Sequence, residues 1–304
     1  MPELICRTFF PVHDYDLDAT LTSGQAFRWE LIDRGWESVI GVRWVRLIPG
    51  PAGIAAETVG PTKDWDWLAH YLQVQVELPR VLDTFPADEP MHAAVAACRG
   101  LRLLRQDPWE CLASFILSST KQIVQIRQMV SLLCERYGDR VATARGRPPA
   151  FSFPSPERLA ACSENELRAC KMGFRAPYLR VSAQKIAGGE VNLNSLSALS
   201  VAEARDELLK LPGVGCKIAD CVLLFAYGFQ EAFPMDVWVM KALRQLYFRR
   251  RPIKAKRLHQ FAATHFGPDA GYAQQYLFHY MRIRRRLAEF TRSERGHLGR
   301  SSQE

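Results

Sequence analysis

The chain has no run of 18 or more apolar residues, and its first residues, Met1-Pro2-Glu3-Leu4, do not place a basic segment ahead of an apolar one. Neither a membrane-spanning helix nor a secretory signal is expected. Cysteines stand at 6, 98, 111, 134, 162, 170, 216 and 221, and no two form a Cys-x2-Cys pair. None follows Cys221, so a C-terminal iron–sulfur cluster is excluded for want of ligands. Several fall inside helical patterns, where a free thiol behaves as a small apolar group. Reduced cysteines fit the cytoplasm or nucleoid of a bacterium, or the nucleus of a eukaryote. The seven histidines show no His-Glu-x2-His and no clustered spacing, so no catalytic metal is expected.

What is present suits a globular chain with a sizeable core: 304 residues, 48% hydrophobic and 24% charged. Lys and Arg number 40 against 32 Asp and Glu, a formal charge of +8. That balance fits a polyanionic partner without deciding for one.

The fold class expected is α+β. Trp36–Ile40 and Val42–Ile48 carry β-branched and aromatic residues, the second stopping at Pro49-Gly50-Pro51, and Ser23-Gly24 reads as a turn. From about Asp64 the pattern turns helical, over Trp65–Val74, Glu89–Cys98, Pro108–Ser118, Ile123–Tyr137, Pro156–Cys170, Ala176–Ala187, Val201–Leu211, Ile218–Tyr227, Val237–Leu246, Lys254–Phe266 and Asp269–Arg286. Prolines make 145–156 a loop. The organisation expected is a β-rich N-terminal antiparallel domain over 1–85, a helical core over 86–292 with a hairpin near 201–227, and a flexible polar tail over 293–304.

Leu211-Pro-Gly-Val-Gly-Cys-Lys-Ile-Ala-Asp220 joins two helices by a tight hairpin. Gly213 and Gly215 allow positive φ and close backbone approach around Val214. The second helix then aims its unpaired N–H groups at whatever sits on the hairpin, and a phosphate suits them. A helix–helix turn with no ligand is the plain alternative. Lys217 lies in the first turn of that helix, where the macrodipole disfavours an ammonium and favours a free, nucleophilic amine. A phosphate-binding lysine is the plainer reading. Asp236, in Phe233-Pro-Met-Asp-Val-Trp238, precedes a helix and is a candidate N-cap. As an ionised carboxylate it also balances a cationic transition state.

The hairpin, lysine and aspartate together resemble the helix–hairpin–helix DNA glycosylases, in which a lysine at this place marks the members with both glycosylase and lyase activity. Thr22-Ser-Gly-Gln-Ala-Phe-Arg-Trp29, Leu104-Arg-Gln-Asp-Pro-Trp-Glu-Cys-Leu112, Met172-Gly-Phe-Arg-Ala176 and Gly271-Tyr-Ala-Gln-Gln-Tyr-Leu-Phe278 are similar to motifs of the 8-oxoguanine branch, over roughly residues 15–285. The resemblance implies an N-terminal antiparallel β domain before two helical subdomains that hold the active site between them. It also implies duplex DNA with an oxidised guanine as partner, a flipped-out base, Lys217 as Schiff-base nucleophile and Asp236 as its partner. No redox cofactor is implied; a structural cation on the hairpin carbonyls is. The protein is expected to act as a monomer.

Spacing agrees with a shared pocket. Lys217, Cys221 and Phe225 are i, i+4 and i+8 on one helix, and Gln274 and Phe278 are i and i+4 on another. Ordinary core stripes have the same spacing. By resemblance Cys221 and Phe278 sandwich the base, Gln274 reads its Watson–Crick edge, and Phe225 is a further apolar wall. Gly24 follows from base chemistry as well. Guanine N7 accepts a hydrogen bond, whereas the oxidised base carries a hydrogen there. A backbone carbonyl facing N7, which the family takes from the glycine matched by Gly24, accepts from the lesion alone. An unpaired buried group costs about 1–3 kcal/mol, a tenfold to hundredfold selection.

The chain also departs from the family. Where its eukaryotic members have Ser-Ser-Asn-Asn-Asn-x-x-Arg, it has Ser118-Ser-Thr-Lys-Gln-Ile-Val-Gln125. Thr120 replaces the asparagine that fills the flipped base's gap, and Gln125 replaces an arginine that reads the opposite cytosine. Arg175 stays as a second reader, and Trp238 replaces a phosphate-contacting histidine. Relaxed opposite-base specificity and a non-animal member are expected. The basic runs 249–251 and 282–286 read as solvated faces with general phosphate attraction. A non-catalytic hairpin DNA-binding module and a glycosylase for another damaged base are the rival readings.

Overall fold

The computed structural model describes residues 4–249 and 251–298, with side chains described as far as Arg285. The N-terminal part is one antiparallel sheet of five strands: β1 (Ile5–Pro11), β2 (Glu30–Ile32), β3 (Gly35–Ile40), β4 (Arg43–Gly50) and β5 (Gly53–Val59), in the order β1-β5-β4-β3-β2. β2 and β3 are joined by Asp33 and Arg34, with φ of 48° and 62°. Two left-handed residues in a row are what a two-residue hairpin matching strand twist requires.

β3 and β4 fall where the sequence places them, although β4 runs on through Pro49 and Gly50 to pair Gly50 with Gly53. β2 and β5 carry weaker signals; β5 (Gly-Ile-Ala-Ala-Glu-Thr-Val) has two alanines, which favour strands little. The segment before Ser23-Gly24 forms a short helix, Leu17–Thr22, capped by Asp16. The sheet closes over Trp29, Trp36, Val45, Leu47 and Ile54 together with Leu68 and Leu72 of the helix Asp66–Leu72.

A second, larger core unites the remaining helices and draws Ala19 and Phe27 from the N-terminal part. Pro156–Cys170, expected as one helix, is two: Pro156–Ala160 and Glu164–Arg168. Ser163 starts the second with a capping box, its hydroxyl accepting from the Glu166 N–H at 3.3 Å while the Glu166 carboxylate accepts from the Ser163 N–H at 2.7 Å. The helix after the hairpin begins at Cys216 and widens into a π-turn over Leu223–Tyr227. The last helix, Ala270–Leu298, extends past Arg286 and through the first half of the expected tail; 299–304 lie outside the described residues. No helix among the described residues is long and apolar enough to cross a membrane.

Candidate active site

The N-terminal motif is tied to the rest by Gln25. Its side-chain N–H donates to the Arg102 carbonyl at 2.8 Å, its side-chain oxygen accepts from the Leu104 N–H at 2.8 Å, and its carbonyl accepts from Gln106 at 2.7 Å. Arg28 pairs with Glu110 at 3.2 Å, in the helix Pro108–Leu117 that Asp107 caps. Two distant motifs are thus halves of one buried contact.

The result is a fixed loop. The Thr22 carbonyl accepts from Arg282 at 2.9 Å and the Ser23 carbonyl from Gln275 at 3.2 Å. Among the described residues, nothing donates to the Gly24 carbonyl between them. Gly24 has φ +87°, and a Cβ there would meet Ile123 Cδ1 at 2.9 Å and Phe278 Cε1 at 3.4 Å. Gly24→Ala is expected to slow excision of an oxidised purine at least about tenfold, since left-handed strain and overpacking each cost of order 1–2 kcal/mol. Single-turnover base release measures this, with thermal melting to separate unfolding from a displaced carbonyl.

Gly24 opens on a cavity of about 420 Å³. Lys217, Asp236, Cys221, Phe225, Gln274, Phe278 and Trp238 all line it, so both helical stripes and both proposed catalytic groups share one space. Phe225 stacks on Phe115 with centroids 5.6 Å apart, and Phe27 meets Phe115 edge-on at 5.5 Å, giving an aromatic floor. Gln274 is 4% exposed, and among the described residues its side-chain oxygen has no hydrogen-bond partner. A buried acceptor left unpaired costs folding free energy and is recovered by a ligand that donates to it.

Lys217 donates to Ser118 Oγ at 3.2 Å, and Ser118 in turn donates to the Phe115 carbonyl at 2.7 Å. The amine stands 5.1 Å over the Phe115 ring. Asp236 caps its helix as expected, accepting from the Val239 N–H at 2.7 Å. Burial pushes its carboxyl above the ordinary value, against the downward pull of Val239 and Lys217. Burial also drives the Cys221 thiol up to about 12, so this wall of the pocket is neutral.

The remaining predicted residues, Trp238 apart, sit outside the cavity. Of the hairpin glycines only Gly213 is left-handed, with φ +78°, while Gly215 is an extended N-cap with φ −102°. Val214 is buried, so the hairpin offers outward the backbone of exposed Gly213 and Gly215 rather than the valine side chain. Asp220, which the motif contains but sequence reasoning left unused, pairs with Arg205 at 2.7 Å and locks the two hairpin helices. Arg175 is 2% exposed, bonds the Ser119 carbonyl and Thr120 Oγ1, and lies under exposed Phe174. Thr120 is exposed with φ +57°. Trp238 is flanked by Lys241 at 5.4 Å and Arg285 at 5.0 Å.

Ser118, Gln275 and Arg282 are site residues that sequence reasoning missed. Arg282 had a signal: it continues the stripe of Gln274 and Phe278 by one more turn.

Residues 7–112 match the model of the 8-oxoguanine DNA glycosylase N-terminal domain, and 113–268 that of the HhH-GPD superfamily base excision DNA repair proteins. The chain is 30% identical over 279 residues to the N-glycosylase/DNA lyase OGG1 of Arabidopsis thaliana, covering 86% of this chain and 76% of that one. It superposes on the 8-oxoguanine glycosylase/lyase of Clostridium acetobutylicum in complex with DNA containing cytosine opposite 8-oxoG, with a TM-score of 0.84 and 28% identity over 93% of this chain and 98% of that one. MBOgg1 in complex with a low-affinity DNA ligand is also similar, with a TM-score of 0.86 and 31% identity over 93% and 99% of the two chains. With both family models matching in tandem and a curated relative 30% identical over most of its length, the chain belongs to the 8-oxoguanine DNA glycosylases of the HhH-GPD base excision repair superfamily.

Proposed function

We propose that this chain excises 8-oxoguanine from duplex DNA and then cleaves the strand at the abasic site, with Lys217 as nucleophile and Asp236 as its carboxylate partner. One observation carries the reading: Lys217, Asp236 and Gln274, whose side-chain oxygen is unpaired among the described residues, line the same cavity. A base must leave the stack to reach such a space. Inside it, Phe278 and the neutral Cys221 thiol cover its two faces, Gln274 accepts from its Watson–Crick edge, and the Gly24 carbonyl accepts from the N7 hydrogen that only the oxidised base carries.

The Lys217 amine attacks C1′ as the C1′–N9 bond breaks, and the base departs with the bonding pair. The new C1′ amine expels the ring oxygen, which takes a proton, leaving a cationic imine. Loss of a C2′ proton then releases the 3′-phosphate. Asp236, held by its cap bond, opposes the positive charge that develops at C1′. The steps call for no redox cofactor and no catalytic metal. The backbone at Gly213 and Gly215 takes a DNA phosphate, with a cation on the hairpin carbonyls as a structural aid, and Trp238 with Lys241 and Arg285 meets the backbone at the cavity mouth. The protein works as a monomer, in the compartment that holds the DNA.

Opposite the lesion, Arg175 and Thr120 form one joined unit, and Gln125 accepts the Gln122 N–H at 3.2 Å. A neutral amide already engaged in a helix cap selects weakly among bases. Excision rates opposite the four normal bases are therefore expected to agree within about tenfold, and Gln125→Arg to favour cytosine by about tenfold, the size of one charged base contact. The test of the whole reading uses these four duplexes with borohydride. A covalent adduct and a nicked strand support it. Base release without adduct marks a monofunctional glycosylase, and neither points to another lesion or to a binding module.

A further inference from the structure

We propose that Arg282 acts on the leaving base, stabilising the negative charge that the oxidised purine acquires as its bond to the sugar breaks; this rests on the reading of the site given above. By sequence Arg282 opens a basic run on an exposed helix. In the structure its side chain is half-buried and lines the catalytic cavity. Nη1 donates to the Thr22 carbonyl at 2.9 Å and lies 3.5 Å from where a Cβ on Gly24 would stand. The guanidinium carbon lies 5.6 Å over the Phe278 ring. A fixed positive charge therefore occupies the corner where the Gly24 loop meets the Phe278 wall.

The chemistry at that corner is specific to an 8-oxopurine. When C1′–N9 breaks, the electron pair passes to N9 and spreads through C8 to the oxygen on it. That oxygen neighbours N7, whose hydrogen meets the Gly24 carbonyl. In a base bound with its N7 edge on Gly24 the C8 oxygen is next to that edge, and the Arg282 guanidinium stands beside Gly24. The guanidinium has five N–H donors and keeps its charge at every working pH. In a walled cavity such a charge acts most strongly on charge that develops during the reaction. The neighbouring Cys221 wall is an un-ionised thiol, so it does not oppose the anion. Lys217 and Asp236 serve the sugar, and Arg282 serves the base.

Such a group acts on base release and not on the later lyase step, by which time the base has gone. Two single-turnover rates separate the effects: release of 8-oxoguanine from a lesion duplex, and cleavage of a duplex with a preformed abasic site. In Arg282→Gln and Arg282→Met the ratio of the first rate to the second is expected to fall about 10²-fold, the size of one lost oxyanion donor. Arg282→Lys, which keeps a charge, is expected to recover that ratio to within about tenfold. Two neutral variants of different shape are made so that one folded protein, checked by melting, suffices. A ratio within about threefold of wild type in a folded neutral variant overturns the proposal. So does an equal loss in both rates, which would mean that Arg282 only braces Phe278 and the Thr22 loop. A wild-type enzyme that cleaves abasic DNA but releases no 8-oxoguanine would instead sink the proposed substrate.

Discussion

Lys217→Gln is expected to bind a lesion duplex within about threefold of the wild-type Kd while losing strand cleavage and the borohydride adduct by at least about 10⁴-fold. Binding should survive because the surfaces proposed to grip DNA do not depend on this amine: the exposed hairpin backbone, the Trp238 cluster and the pocket walls remain. The fold should survive because glutamine suits a helix as well as lysine does and retains an N–H for Ser118 Oγ, which lysine reaches at 3.2 Å. What it lacks is a basic lone pair. An amide nitrogen neither adds to C1′ nor forms an imine, so both chemical steps stop together. Cleavage at more than about a hundredth of the wild-type rate would mean that water or another amine is the nucleophile.

The place of Lys217 in the cavity was legible because it is written locally. A hairpin, a helix start and a lysine within seven residues fix where the amine stands before any tertiary contact is known. Asp236 was legible for the same reason, as a cap after a proline loop. The place of Gly24 on the cavity was suggested only by the resemblance and by the chemistry of the base, since its sequence says turn and no more. β5 escaped because its strand character comes from pairing: Val59 to Gly53 align with Ile5 to Pro11, and the segment alone is too rich in alanine to declare itself. β1 carries Ile5, Thr8, Phe9 and Phe10, strand-favouring residues that were overlooked. The break near Ser163 was written in a capping box and overlooked beneath the helical spacing around it. Arg282 was illegible for a different reason. Four arginines within five residues of a helix look like a solvated face, and only the approach of a loop some 260 residues earlier gives one of them a cavity to line. Arg175 shows the converse: the motif marks it out in sequence, whereas its burial under Phe174 and its bond to Thr120 are written only in tertiary contacts.

Asp236→Asn separates function from stability more sharply than any other change here. Asparagine caps a helix as well as aspartate, so the bond to the Val239 N–H has a replacement. The carboxyl's folded pKa is raised, with burial the largest cause and the Val239 bond and Lys217 opposing it. An acid whose folded pKa lies above its unfolded value holds its proton longer in the native state. Its share of stability is therefore full at low pH and falls as pH rises through the folded pKa. At neutral pH the wild type carries that loss and the asparagine variant does not. Melting is expected to show the variant as stable as wild type or more so at neutral pH, with the two curves converging in acid. Base release, by contrast, should drop about 10²- to 10³-fold, since the charge opposing the C1′ cation is gone. The wild-type rate should also fall on the acid side at a pH above the ordinary carboxylate range, and the variant's residual activity should lack that limb. A variant clearly less stable at neutral pH would show that attraction between Asp236 and Lys217 outweighs the cost of burial, and that the carboxylate is held for the fold as much as for the reaction.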